Sequence, residues 1–92
     1  MAEIYSVKII PLTVALDDAA EKTTYTQLEL KAPTLSQAEQ FYEKQAASTS
    51  LAAMRLLIAL VSGTRESVLQ PMDFLDFRKC EEYLLSFLTW KP

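Results

Sequence analysis

The chain has 92 residues, a net charge of −3 and a hydrophobic content of 50%. A chain this long makes one small domain that buries roughly 60–65% of its unfolded surface, and so apolar a composition excludes a disordered polymer. Acids and bases are scattered, which excludes the basic patch needed for nucleic acid or for an anionic membrane surface.

The first residues, MAEIYSVK, hold no charged segment followed by a long apolar run, and no secretion signal is expected. Residues 4–10 alternate, with Tyr5, Val7 and Ile9 on one face and Ser6 and Lys8 on the other, which is a period-two strand signal. Pro11 lacks an amide donor and suits an edge position, a bulge or a strand end. Leu12, Val14 and Leu16 resume the alternation, so Leu12–Leu16 is the better candidate for a paired strand. Asp17–Lys22 (DDAAEK) reads as the hairpin loop. Thr23–Lys31 alternates again, with Leu28 and Leu30 one way and Tyr25, Gln27, Glu29 and Lys31 the other. The hairpin of about 4–31 is marginal alone and must rest its Leu/Val face on helices.

Pro33 ends the second strand, and Thr34–Gln37 fits a capping box opening a helix over 34–47. Ser48-Thr49-Ser50 offers a polar break with fresh N-cap candidates, so a second helix is expected over 50–62; one continuous helix is the alternative. Ten of the eleven residues of Leu51–Val61 are apolar, the exception being Arg55. A helix without a polar stripe is buried on most sides or lies in a membrane. This one rises about 16 Å, roughly half a hydrocarbon core, which makes it the central helix of a folded domain. Gly63 stands where a left-handed C-cap is needed. Residues 64–69 hold a single helical turn, and Pro71 opens a last helix over 71–90 with Asp73 and Asp76 near its positive end.

That last helix carries two apolar sets. Phe74, Phe77, Cys80, Leu84, Leu85, Phe87 and Leu88 form a broad face directed at the central helix. Met72, Leu75, Tyr83 and Trp90 fall on another side, where they either meet another chain or lie under the hairpin. Arg55 must snorkel to water or meet an acid, either within the domain or on a partner. Arg78–Glu82 reads as an i, i+4 pair.

Catalysis finds no support. The carboxylates Asp17/Asp18, Glu21, Asp73/Asp76 and Glu81/Glu82 have no cleft to face across, and Asp73 and Asp76 are explained by the helix dipole. The chain has no histidine, so nothing activates its serines and threonines, and a single glycine makes no phosphate loop. With no histidine and the one cysteine Cys80, no zinc or iron site, no other cofactor and no internal disulfide is expected. Cys80 reads as a small buried hydrophobe in a reducing compartment.

The order of these marks carries a resemblance. A strand with Leu28, Leu30 and then Pro33 leads into a helix, and a hydrophobic helix ends at Ser62-Gly63. A turn with Glu66 and Leu69 follows, then Pro71-Met72-Asp73-Phe74 opens a helix closing in Leu84-Leu85-Ser86-Phe87-Leu88. From about Leu12 to Leu88 the chain resembles the small tail assembly chaperones of long-tailed bacteriophages, encoded beside the tape-measure gene. The resemblance implies a non-enzymatic protein of the host bacterial cytoplasm. It would coat the helix-rich tape-measure protein, assist tail-tube subunits in polymerising around it, and leave before the virion is complete. It also implies that a longer frameshifted form accompanies many members. Ile4–Pro11 departs from the pattern as a longer N-terminal strand. The expected fold is α+β, a single domain with an N-terminal β-hairpin packed on three to four helices. Contacts to client or to a second copy are expected at Met72, Leu75, Tyr83 and Trp90, with Arg55 as polar anchor; the resemblance itself assigns no contact residue. The competing reading is a small structural or regulatory module forming a homo-oligomer.

Overall fold

The computed structural model describes residues 7–88, which places Tyr5 and Trp90 outside the described residues. The fold is α+β: strands β1 (Val7–Asp18) and β2 (Thr23–Lys31) form an antiparallel hairpin, and helices α1 (Leu35–Ala47), α2 (Ser50–Ser62), α3 (Glu66–Leu69) and α4 (Phe74–Leu88) follow.

The hairpin differs from its sequence reading in register. Val7–Pro11 runs opposite Lys31–Gln27, and Leu16–Asp18 runs opposite Tyr25–Thr23. Between the two blocks Leu12–Ala15 has only Thr26 across from it. Leu12–Leu16 is thus not the paired strand but mostly the place where pairing is interrupted, beginning just after the donor-less Pro11. Register also corrects the faces. Directly opposed residues project to the same side. Ile10 stands opposite Leu28 and both are buried, whereas Val7 and Ile9 stand opposite Lys31 and Glu29 and are exposed. Tyr25, opposite the buried Leu16, packs on the core rather than on the polar side.

The loop is shorter than expected, because β1 continues through Asp17 and Asp18. The Thr24 hydroxyl donates to Asp17 across the hairpin at 2.9 Å. Asp18 is buried and accepts from the Glu21 amide and from the Arg65 guanidinium at the start of α3. The turn closes with Lys22 at a positive φ of 53°.

Local chemistry marks the starts of α1, α2 and α4 and the end of α2, whereas α3 has no side-chain cap. Thr34 and Gln37 form the reciprocal capping box of α1. The Thr49 hydroxyl accepts the Ala52 amide at 3.0 Å, so α2 begins anew and residues 34–62 are two helices. Gly63 closes α2 at φ 73° with its amide on the Ala59 carbonyl. The Gln37 amide reaches the Leu60 carbonyl at 3.4 Å, joining the start of α1 to the end of α2 in an antiparallel pair.

The last helix starts at Phe74 rather than near Pro71. The Met72 amide bonds the Leu69 carbonyl and makes a turn, and then Asp73 acts as the cap: its carboxylate accepts the Leu75 amide at 3.1 Å and its carbonyl the Phe77 amide at 3.0 Å. A side chain that satisfies a free amide outcompetes a proline that merely tolerates the first turn.

The core is α2 with everything else laid on it. Ala53, Met54, Leu57, Ile58 and Val61 meet Ile10, Leu16, Leu28 and Leu30 of the hairpin, Phe41 of α1, Val68 and Leu69 of α3, and Cys80 and Leu84 of α4. Each large apolar side chain buried this way stabilises the fold by roughly 1.5–3 kcal/mol. α4 rests chiefly along β1 and touches α2 only lightly. Its inner line is Asp76, Cys80 and Leu84, with Phe77, Tyr83 and Leu88 alongside; Phe74, Leu85 and Phe87 are exposed. The apolar count misjudged this face because it left Asp76 out, explaining that residue by the helix dipole alone.

Candidate interaction surface

Asp76 sets the position of α4. Its carboxylate accepts the Thr13 amide at 2.9 Å, the Thr13 hydroxyl at 3.1 Å and the Val14 amide at 3.4 Å. These amides lie in the four-residue stretch that has lost its register with β2, so the helix supplies the acceptor that the hairpin does not. Burial pushes the Asp76 pKa up, but the Thr13 and Val14 donors, with Lys79 at 3.6 Å, outweigh it and hold the group below the ordinary carboxylate value. Asp18 behaves alike: burial raises it, and the bonds from Arg65, Glu21 and Ala20 bring it below its ordinary value. Cys80, one turn after Asp76, is pushed up to about 12 by burial and by the Asp76 charge.

With α4 docked and its start delayed to Phe74, its first turn does not close onto the first half of α2. An apolar groove of about 140 Å³ lies between them, lined by Leu51, Arg55 and Ile58 of α2, Leu69 and Gln70, and Met72, Phe74 and Phe77. Phe74 and Phe77 stack at a centroid distance of 5.7 Å. Leu51 and Phe74 are each 56% exposed, so large apolar side chains at the groove remain wet. Arg55 borders the groove and its Nε donates to Glu66 at 3.4 Å, so the intradomain acid left open by the sequence is Glu66.

The expected contact residues divide. Arg55 and Met72 come together in the groove. Met72 stands before α4 rather than on it, so counting it at helical spacing misplaced it. Leu75 is 70% exposed and lines no part of the groove. Tyr83 packs against the core with its ring edge-on to Phe87 at 5.2 Å, and its buried hydroxyl has no hydrogen-bond partner among the described residues. Trp90 lies outside the described residues. Sequence reasoning missed Leu51, Phe74 and Phe77 as neighbours of Arg55. The overlooked signal was Asp73, which caps where it stands. Arg78 pairs with Glu81 at 2.8 Å, not with Glu82. Among the described residues no cluster of three or more His, Cys, Asp or Glu is placed to hold a metal ion. No helix among them is long and apolar enough to cross a membrane.

A family model described as "phage tail assembly chaperone proteins, E, or 41 or 14" matches residues 15–89. The chain belongs to this phage tail assembly chaperone family. No curated protein and no solved structure gives a match. The matched region of the chaperone begins at Ala15, at the end of the register shift, and takes in β2, all four helices and the whole groove. The general role of the chaperone is therefore in tail assembly, and its partners are tail proteins.

Proposed function

We propose that this chaperone binds the helix-rich tape-measure protein at the α2–α4 groove and keeps it soluble in the host cytoplasm while tail-tube subunits assemble around it. The observation that carries the reading is the groove itself, an apolar recess with wet leucine and phenylalanine at its edge in a member of a tail assembly chaperone family. A helix presents apolar side chains at three- and four-residue spacing, and grooves of this chemistry take such side chains as anchors. The role is stoichiometric binding without catalysis. Several carboxylates that stood as acid–base candidates are occupied structurally: Asp18 with Arg65, Asp73 as a cap, Asp76 with Thr13 and Val14, and Glu81 with Arg78.

Co-expression with the tape-measure protein of the same phage tests this. A soluble complex that survives gel filtration is expected, and a client that stays insoluble with no complex would sink it. A second reading, a homo-oligomeric structural module, is favoured by the outer edge of β2, which has no strand partner among the described residues. It predicts a stable oligomer without client that groove substitutions leave intact.

A further inference from the structure

The groove holds more information than its apolar surface. Its volume of about 140 Å³ suits one large side chain rather than a row of them. Arg55 stands at the groove with its side chain 35% exposed. Glu66 engages it through Nε alone, with one 3.4 Å contact between side chains that both remain partly wet. A guanidinium presents five donors in a rigid fork, and a carboxylate fills that fork best with two parallel bonds. Glu66 therefore leaves most of the fork unfilled, beside a recess that takes an apolar anchor.

We infer that the groove reads a two-part signal on a helical segment of the client: one large apolar side chain seated against Leu51, Met72 and Phe74, and one carboxylate a helical turn away that takes Arg55 from Glu66. Residues three or four apart on a helix lie on one face, so a single helix presents both parts together. Glu66 is then an internal competitor. It keeps Arg55 oriented in the free chaperone and lowers the affinity for the client's acid. The inference rests on the client reading above and adds which segments of the client are held.

The test uses the full chaperone and overlapping helical fragments of the tape-measure protein of the same phage, with affinity read by fluorescence anisotropy. Fragments with an apolar residue and a Glu or Asp at i+3 or i+4 should bind, and replacing that acid by Gln should weaken binding about tenfold. Arg55→Gln should match that loss and be indifferent to the fragment's acid. Phe74→Ala removes an exposed wall and should weaken every fragment without unfolding the chaperone. Glu66→Gln is the decisive variant: it should tighten binding by roughly two- to fivefold, the size of a half-exposed ion pair released to a competitor. If Glu66→Gln leaves affinity unchanged or lowers it, or if acid-free fragments bind equally well, the two-part signal is wrong while client binding stands. If no fragment binds the wild-type chaperone, client binding and this inference fall together.

Discussion

Asp76 is a carboxylate taken out of water to serve another segment's backbone. A buried polar group left without a partner costs about 1–3 kcal/mol, and the buried Asp76 carboxylate accepts from two amides and a hydroxyl at once. Asp76→Asn keeps one acceptor oxygen but turns its NH2 toward further donors, and it should lower stability by about 2 kcal/mol in urea denaturation. The pH dependence has a defined sign. Asp18 and Asp76 both hold their protons less readily in the folded chain than at the ordinary 3.8. As the pH falls toward the folded values, protons therefore favour the unfolded chain. The stability contributed by these two groups is complete above about pH 5 and drains as pH falls through their folded values. The urea midpoint of the wild type should drop on that side, and Asp76→Asn should show a shallower drop. Cys80 gives a separate readout. Its thiol is buried and pushed up to about 12, so thiol reagents should label it only at the rate of opening, and Asp76→Asn should accelerate labelling.

At the scale of elements, backbone conformation decides more than contacts. Gly63 ends α2 at φ 73°, and a Cβ added there would meet nothing within 4 Å. Gly63→Ala therefore isolates the backbone term and should cost about 1 kcal/mol with no change in packing. Lys22 takes a positive φ of 53° without being glycine, so Lys22→Gly should raise the thermal midpoint. The helices were legible because their signals are local: Thr34 with Gln37, Thr49, and Gly63 each act within four residues of their own position. The hairpin was legible in outline and not in register. Val7 and Ile9 alternate as well as Ile10 and Leu12 do, and only the pairing across to Leu28 chooses between them. The inner face of α4 was misread for the same reason. Asp76 is a polar residue by every local criterion, and its partner lies 63 residues away on β1.

For the whole molecule, the composition and the order of elements were enough to reach an α+β domain, and the family resemblance carried by its motifs supplied the chaperone reading. The groove was not legible, because it depends on where α4 starts relative to α2, and that offset is set jointly by Asp73 and by Asp76 on β1. A double substitution, Leu51→Ser with Phe74→Ser, exchanges exposed apolar surface for polar surface. It should leave the melting temperature within a few degrees while abolishing tape-measure solubilisation in co-expression. Equal loss of both would show that these side chains serve the fold. The broken stretch of β1 has one more consequence, for polymer growth. A sheet extends by adding strands at its two margins, and here one margin is interrupted by Pro11 and by amides already committed to Asp76. The β2 margin has no strand partner among the described residues. Copies that join through it, margin to margin, use up that edge in both partners. An interrupted margin of this kind works against open-ended growth through the sheet.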